Sequence, residues 1–307
     1  NDPLTLFRRA DVAMYTAKER HEGYALYDIR RDHYSPHRLA LLGDLRRAIA
    51  NQELRLYYQP KAELNAGLVN SVEALVRWQH PTQGFIPPDQ FIPLAEQTGL
   101  ILPLTNWVLE TALEQCRRWQ DAGLDLGVAV NLSMWNLRDA SLPDTIADLL
   151  ARYKIPARLL CVEITESAVM VDAEHTLQAL NRLFASGVRI AIDDYGTGYA
   201  SLSYLKHLPA DELKIDRAFV QHLTTDRTDQ AIVRSTVNMA HNLGMYVIAE
   251  GVEDQATWDL LATLGCDIVQ GYYLSRPVPA QDLERWLGER KEAAAHRLDE
   301  WKEAVAP

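Results

Sequence analysis

The chain has 307 residues, 48% of them hydrophobic and 24% charged, which fits a globular protein of one large domain or two ordinary ones. Its net charge of -11 argues against sequence-independent binding to a polynucleotide, because the phosphate backbone attracts basic surfaces. The three cysteines, Cys116, Cys161 and Cys266, are far apart, form no metal-type pair and suit a reducing cytosol better than a disulfide framework.

The sequence carries no signal for export or membrane insertion. No apolar run approaches membrane-spanning length, and no signal peptide opens the chain. The chain starts at Asn1 in the middle of a helical pattern, without an initiator Met. These features predict a cytoplasmic domain taken from a longer protein, with room upstream for membrane or sensor segments.

The first part of the chain predicts an amphipathic helix and a short strand. The helix covers residues 4–20, Gly23 ends it, and residues 24–27 form the strand. Residues 10–18, ADVAMYTAK, resemble the closing helix of a GGDEF (diguanylate cyclase) domain, although the GGDEF catalytic motif is absent. The resemblance implies that residues 1–30 are the C-terminal remnant of such a domain, and a plain amphipathic helix is the alternative.

From Glu53 onward, short apolar strands alternate with helical runs. The predicted strands are 54–58, 69–76, 127–132, 159–164, 188–193, 212–216, 246–250 and 267–271. The helical runs between them include 103–121, 174–186, 228–243 and 255–264. Eight strands alternating with helices predict a (β/α)8 barrel of the TIM type. An open doubly wound sheet is the alternative, weakened because no Gly-x-Gly-x-x-Gly follows the first strand.

Two helical segments flank this region. Residues 31–52 are assigned to a linking helix, whose pattern covers 36–52. A charged segment at 288–307 predicts a C-terminal helix that faces solvent or a partner. The barrel is therefore placed at residues 53–287.

The stretch from Val188 to Asp216 has the clearest local pattern for chemistry. An alternating apolar run ends on adjacent carboxylates, Asp193 and Asp194, and a loop rich in small residues follows. Like charges side by side at a strand end repel each other unless a cation lies between them. For such a pair alone, a helix cap or a turn is the alternative.

Polar side chains stand at the ends of seven predicted strands in succession. They are Glu73, Asn131, Glu163, Asp193 with Asp194, Lys214, Glu250 and Gln270. In a barrel of parallel strands these ends converge on one face, where active sites are built. Any one of these residues could be explained by a helix cap or a surface ion pair. Polar residues at seven consecutive strand ends favour one common site.

The metal ligands in this set are carboxylate and amide oxygens, without His or Cys. Hard oxygen donors select Mg²⁺ or Mn²⁺ over Zn²⁺. Several carboxylates around one cavity indicate two metal ions that share a ligand, an arrangement suited to phosphate ester hydrolysis. Lys214 would orient or activate the water, or hold charge in the transition state. Arg77 is placed to grip a phosphate as a planar fork.

Ordered motifs across residues 53 to about 287 resemble the EAL-domain phosphodiesterases. The motifs are Tyr58-Gln59-Pro60, Glu73-Ala74-Leu75, Asn131-Leu132-Ser133, Glu163-Ile164-Thr165-Glu166, Asp193-Asp194-Tyr195-Gly196-Thr197-Gly198-Tyr199, Leu213-Lys214-Ile215-Asp216, Ala249-Glu250-Gly251-Val252-Glu253 and Gln270-Gly271-Tyr272. The resemblance implies hydrolysis of cyclic di-GMP to linear pGpG in bacterial second-messenger signalling. It also implies a barrel whose first strand runs antiparallel to its neighbour, a homodimer, and an upstream GGDEF or sensor domain.

The same resemblance implies a role for each site residue. The implied metal ligands are Glu73, Asn131, Glu163 and Asp193 for one ion, with Asp193 and Asp194 reaching a second ion. The implied catalytic residues are Lys214, Glu250 and Asp194. The implied substrate-binding residues are Gln59, Arg77 and Gln270. Glu166 is implied to anchor the loop from Tyr195 to Ser201, and we expect it to accept hydrogen bonds from the loop backbone or from Thr197 or Ser201.

This chain departs from the family pattern only mildly. Tyr195 stands where Phe is common, and Ala200 stands where Ser is common. Because every catalytic position is present, we expect an active enzyme. The alternatives are a receptor that binds cyclic di-GMP without turnover and a partner-binding regulatory barrel.

Overall fold

The computed structural model describes residues 2–19, 23–27, 36–51, 53–170, 173–196 and 205–290. They fall into two compact units. The smaller unit comprises the chain up to Arg55 and the segment Arg77–Leu104. The larger unit comprises Leu56–Val76 and the chain from Thr105 onward. The predicted domain boundaries, at 1–30, 31–52, 53–287 and 288–307, stay predictions.

The smaller unit is mainly helical. Its helices are α1 (Pro3–Glu19), α2 (Pro36–Ala50) and α3 (Pro88–Thr98). Trp78 is fully buried and meets the ring of Phe91 edge to face, with centroids 5.6 Å apart. His80 Nε2 lies 3.0 Å from Asp44 Oδ2 on α2. An aromatic core and one buried polar contact therefore organise this unit.

The larger unit contains most of a closed barrel, whose first two strands each extend by a few residues into the chain segments of the smaller unit. Its eight strands are β1 (Leu54–Glu63), β2 (Val69–His80), β4 (Gly127–Leu132), β5 (Leu160–Thr165), β6 (Arg189–Tyr195), β7 (Glu212–Ile215), β8 (Tyr246–Ala249) and β9 (Ile268–Val269). They neighbour one another in the order β1-β9-β8-β7-β6-β5-β4-β2, and pairing of β1 with β2 closes the ring. The predicted TIM-type (β/α)8 barrel is confirmed.

The first strand differs from the others in direction. β1 pairs with β9 antiparallel, whereas the pairs from β2–β4 round to β8–β9 are parallel. The antiparallel first strand that the family resemblance implies is therefore confirmed. An additional short strand, β3 (Gly84–Ile86), pairs antiparallel with the far end of β2 and was not predicted.

Helices follow the strands along the chain. They are α4 (Ile101–Asp121), α5 (Met134–Leu137), α6 (Leu142–Tyr153), a 3₁₀ turn (Ala157–Leu159), α7 (Glu166–Met170), α8 (Ala173–Ala185), α9 (Arg217–Val220), α10 (Arg227–Asn242), α11 (Gln255–Thr263) and α12 (280–290). Four predicted helices match α4, α8, α10 and α11 to within two residues at each end. Among the described residues, none of the helices combines the length and apolar character needed to cross a membrane.

Helix α10 illustrates how the sequence builds the outer layer. Asp226 caps its first turn by accepting a hydrogen bond from the Thr228 backbone N–H at 2.7 Å. Val233, Val237 and Ala240, spaced by three or four residues, are buried in the core cluster that also includes the β8 side chains. This packing leaves the inner faces of the strands free to carry polar groups.

One predicted element is wrong, and others reach beyond the described residues. Residues 24–27 were predicted as a strand but do not form one in the structure, and Tyr24 and Leu26 are exposed. A strand needs a hydrogen-bonded neighbour to be stable. Residues 31–35 and 52 of the linking helix, and residues 291–307 of the C-terminal helix, lie outside the described residues.

Candidate active site

The carboxyl ends of the parallel strands surround a cavity of about 240 Å³. Site residues that line it are Gln59, Glu73, Asp193, Lys214, Glu250 and Gln270. They come from β1, β2, β6, β7 and the segments directly after β8 and β9. The structure therefore brings together residues that are up to 211 positions apart, the span from Gln59 to Gln270.

Lys214 lies at the centre of a carboxylate cluster. Its Nζ is 2.6 Å from Glu250 Oε1, 2.7 Å from Glu163 Oε2 and 2.9 Å from Asp193 Oδ2. Glu73 Oε2 lies further away, at 3.9 Å. Burial alone would lower the pKa of Lys214, but the surrounding carboxylates outweigh it and raise this pKa well above its usual value. The surrounding carboxylates therefore favour the charged form of this side chain inside the barrel.

Glu163 is fully buried between two lysines. Its Oε2 accepts a hydrogen bond from Lys214, and its Oε1 contacts the ammonium group of Lys61 on β1. Burial acts to raise the pKa of Glu163, but Lys214 and Lys61 overcome this and lower it to about 2. Lys61 was not among the predicted site residues. It lies beyond the predicted strand 54–58, and a lysine two residues after Gln59 was the available signal.

Two amide side chains donate to Glu73, and a third amide, Gln59, holds one of them. Asn131 Nδ2 donates to Glu73 Oε1 at 2.7 Å, and Gln270 Nε2 donates to Glu73 Oε2 at 2.6 Å. Gln270 Nε2 also lies 3.0 Å from Gln59 Oε1, and Gln59 Nε2 donates to the Ser275 carbonyl at 3.1 Å. Burial, opposed by Lys214, raises the pKa of Glu73. This row of amides connects β2, β4, β9 and β1.

The adjacent acids Asp193 and Asp194 lie where the register between β6 and β7 shifts. In a regular strand they would point to opposite faces of the sheet. Asp194 instead has a φ of +55°, a left-handed conformation that Asp tolerates better than most residues. Single oxygens of Asp193, Asp194 and Glu250 consequently lie within 4.8 Å of one another. The irregular strand end thus delivers both aspartates to one site.

These acids repel one another. Burial first, and then Asp193 and Asp216, raise the pKa of Asp194 to about 6. Burial also raises the pKa of Glu250 to about 8, with Asp193 and Glu73 adding to the effect and Lys214 opposing it. A divalent cation among these oxygens would relieve the repulsion.

The residues present fit a hard divalent cation. The candidate donors are carboxylate and amide oxygens, which suit Mg²⁺ and Mn²⁺. Gln270 is nearly fully buried beside Glu73, and its Oε1 is one of two buried side-chain atoms without a hydrogen-bond partner in the described part of the chain. An unsatisfied buried acceptor in a carboxylate cluster is the chemistry expected of a cation site.

Glu166 begins helix α7 and is buried. Its Oε2 accepts a hydrogen bond from the Gly196 backbone N–H at 2.9 Å, two residues after Asp194. This contact agrees with the expected acceptance of hydrogen bonds from the loop backbone. The expected bonds to Thr197 and Ser201 fall on the segment 197–204, which lies outside the described residues.

Two other charged residues lie on or directly after barrel strands. Arg77 is half-buried on β2 and belongs to the smaller unit, so its place beside a nucleotide stays a prediction. Asp216 follows β7 and caps α9 by accepting from the Ala218 N–H at 2.7 Å. Asp216 therefore has a structural role as a helix cap.

An aromatic side chain stands at the cavity edge. Tyr272 lines the cavity and is half exposed, and the Arg276 guanidinium lies 4.1 Å from its ring centroid. A stacked aromatic and guanidinium pair offers a flat surface for a nucleobase. Tyr272 was not predicted as a site residue and belongs to the motif Gln270-Gly271-Tyr272.

The fold and the site together define a class: a TIM-type barrel with a cation site of acids and one lysine at the carboxyl ends of its strands. Comparison with known families makes the assignment more specific. Residues 42–277 match the EAL domain family. Because the match covers most of the chain, the chain belongs to the EAL domain family.

The chain is similar to characterised relatives from Pseudomonas aeruginosa. It is 46% identical over 280 residues to the bifunctional diguanylate cyclase/cyclic di-GMP phosphodiesterase MucR, covering 91% of this chain and 41% of MucR. It is 44% identical over 245 residues to the cyclic di-GMP phosphodiesterase NbdA, covering 80% of this chain and 31% of NbdA. The chain thus spans less than half the length of these relatives.

A solved structure shares the fold. The PaMucR phosphodiesterase in complex with c-di-GMP is 48% identical to this chain, with a TM-score of 0.76. The alignment covers 80% of this chain and 99% of that structure. The similarity therefore extends over the whole of the solved domain.

Proposed function

We propose that this chain is a metal-dependent phosphodiesterase that hydrolyses cyclic di-GMP to linear pGpG. The observation that carries the proposal is the buried ammonium of Lys214, within 2.9 Å of oxygens of Glu163, Asp193 and Glu250. A fixed cation among metal-binding acids suits a reaction that builds up negative charge on phosphate oxygens. The activities named for MucR and NbdA, and the ligand in the PaMucR structure, support the choice of substrate.

Two Mg²⁺ or Mn²⁺ ions would complete the site. Glu73, Asn131, Glu163 and Asp193 would hold one ion, and Asp193 and Asp194 would hold the other. When bound, such ions supply Lewis acidity to the phosphate oxygens and make water ionise more readily near neutral pH.

The residues of the chain would position the water, stabilise charge and bind the nucleotide. Lys214 and Glu250 face the same space and would hold the attacking water and the charge that forms on the phosphate. Asp194 would act beside them, because one of its oxygens lies within 4.8 Å of an oxygen of Glu250. Gln59, Gln270 and Arg77 would hold the nucleotide, with Tyr272 and Arg276 as a stacking surface for a base.

A turnover assay with purified chain tests the proposal. Cyclic di-GMP should be converted to linear pGpG with Mg²⁺ or Mn²⁺, and about tenfold more slowly or worse with Ca²⁺, whose larger and looser shell orients the reactants poorly. Exhaustive chelation should abolish turnover, and returning Mg²⁺ should restore it. Full activity after chelation would refute the metal requirement.

Parallel binding measurements separate the alternatives. A silent receptor would bind cyclic di-GMP tightly in Mg²⁺ without releasing linear product. A partner-binding regulatory barrel would neither bind nor convert the nucleotide. Either outcome would overturn the proposed function.

The proposed loop anchor, Glu166, gives a second prediction, which concerns turnover and the Mg²⁺ requirement. Glu166→Ala removes the acceptor for the Gly196 N–H, so the backbone just after Asp194 loses a fixed contact. We expect turnover to fall about 10- to 100-fold and the Mg²⁺ requirement to rise, as when a group that supports a metal ligand is removed. Turnover against Mg²⁺ concentration and the Tm should be measured on the same protein.

Glu174→Ala is the matched control, because Glu174 is exposed on α8. It should change neither the Mg²⁺ curve nor the rate. If Glu166→Ala behaves like Glu174→Ala, Glu166 is an ordinary buried side chain and does not act as an anchor.

The remaining parts of the proposal concern the longer protein. A homodimer, a cytoplasmic location and an upstream GGDEF or sensor domain all belong to it. The diguanylate cyclase activity named for MucR supports a GGDEF neighbour. In that setting the barrel would remove the second messenger that its neighbour domain makes.

A further inference from the structure

Lys61 is a fully buried cation that the proposed mechanism does not use. It lies on β1 with 1% of its surface exposed. Gln59, two residues earlier on the same face of the strand, lines the cavity. Lys61 therefore extends into the barrel interior away from the cavity mouth, where its ammonium contacts Glu163 Oε1.

The interior around Lys61 has small side chains. Ala129, Cys161 and Ala191 form a cluster on three neighbouring strands, and Ala129 lies opposite Cys161 in register. Cys161 and Glu163 are two residues apart on β5 and therefore point to the same face of the strand. The cluster thus lies next to Glu163, one layer further from the carboxyl ends of the strands. Small residues at this level leave room for a long lysine side chain to reach the carboxylate from below.

The two oxygens of Glu163 have different partners. Oε1 contacts Lys61, and Oε2 is 2.7 Å from Lys214 Nζ, on the cavity side. A carboxylate held at one oxygen cannot rotate freely, so its other oxygen keeps one direction. Without Lys61, Oε1 would be a buried charged acceptor without its ammonium donor, and the carboxylate would turn to regain a partner.

We infer that Lys61 is a positioning residue for the proposed reaction, acting through Glu163. It holds one carboxylate oxygen so that the other faces Lys214 and the metal ligands. The inference rests on the proposed function. A purely structural role is the competing explanation, yet a buried ion pair is often no more stabilising than apolar residues of the same volume. Stability alone therefore gives weak reason to place a lysine here.

The test replaces Lys61 by Met, which keeps the length and loses the charge. The Mg²⁺ midpoint is measured from the rise of Tm with Mg²⁺ concentration, and kcat and KM are measured separately with cyclic di-GMP. We expect the Mg²⁺ midpoint to rise about 10- to 100-fold and kcat to fall by a similar factor, the usual result of removing a group that orients a metal ligand. KM should change by less than about threefold, because Lys61 does not line the cavity.

Val162→Ala is the matched control. Val162 precedes Glu163 on β5, is fully buried and faces the opposite side of the sheet. This variant should lower Tm without moving the Mg²⁺ midpoint or kcat. If Lys61→Met shifts the midpoint and kcat no more than Val162→Ala, the positioning role is wrong.

A second variant covers the case in which Lys61→Met does not fold. Lys61→Gln keeps an N–H donor but shortens the side chain and removes the charge. It should raise the Mg²⁺ midpoint less than Lys61→Met does, but by at least about threefold. A wild-type midpoint in Lys61→Gln would equally overturn the inference.

The two proposals can fail independently. A wild-type chain without turnover on cyclic di-GMP refutes the proposed function. The Mg²⁺ midpoint of the Lys61 variants is a thermal measurement that needs no substrate. It therefore decides whether Lys61 orients Glu163 for a metal, whatever the reaction.

Discussion

Replacing Lys214 by Met should lower kcat for cyclic di-GMP about 10²- to 10³-fold, the usual loss when one fixed electrostatic group at a reacting centre is removed. The reason is the geometry of its ammonium, which touches Glu163, Asp193 and Glu250 and faces the cavity. KM should change much less, because the lost contact matters most in the transition state. Steady-state kinetics at saturating Mg²⁺ measures both constants.

The loss of Lys214 should also affect stability in a metal-dependent way. Without its ammonium, the acids of the cluster repel one another, so Tm should fall in chelator and recover in part with Mg²⁺, which binds the folded state. Arg189→Met is the control, since Arg189 pairs with Glu212 and neither residue lines the cavity. It should lower Tm with kcat nearly unchanged. Wild-type kcat in Lys214→Met would refute the role of the lysine.

Replacing Glu163 by Gln should be the most destabilising single change at the site. Glu163 is completely buried, and its loss leaves the ammonium of Lys61 without its carboxylate. Removing one partner of a buried ion pair costs about 3–5 kcal/mol. Urea unfolding in chelator measures this loss, and turnover should fall below detection because a metal ligand is lost as well.

A double variant separates charge from packing. If the uncompensated lysine causes the instability, adding Lys61→Met to Glu163→Gln should recover at least about 1 kcal/mol, since contacting residues couple by this order. Activity should not return, because the metal ligand remains absent. Additive losses in the double variant would mean that the two side chains do not interact in solution.

The barrel was predictable from the sequence because each strand left two signals. An apolar run predicts the strand, and a polar residue at its end marks the shared face of the barrel. Glu73, Asn131 and Glu163 were selected in this way, and the structure brings them together with Lys214. Their roles as metal ligands rested on the family resemblance and stay predictions.

The direction of β1, the role of Lys61 and the turn at Asp194 could not be predicted from sequence patterns. Periodicity does not indicate the direction of a strand, so the antiparallel β1 came from resemblance alone. Lys61 lies inside a strand and not at its end, which is why a search of strand ends missed it. The turn at Asp194 depends on a backbone angle that neighbouring strands impose. No local sequence rule gives that angle for a non-glycine residue.

The hydrogen bond from Gln59 to the Ser275 carbonyl joins positions 216 residues apart. During synthesis on the ribosome, β1 emerges before β9 and cannot complete the ring until β9 and the segment after it have been made. The acids of β2, β5 and β6 therefore remain unsupported by the closing strand until then, and a chain that stops before Gln270 lacks one wall of the cavity. Because contacts of such sequence separation form slowly, closure of the ring is the step at which this protein is most exposed to misfolding and aggregation.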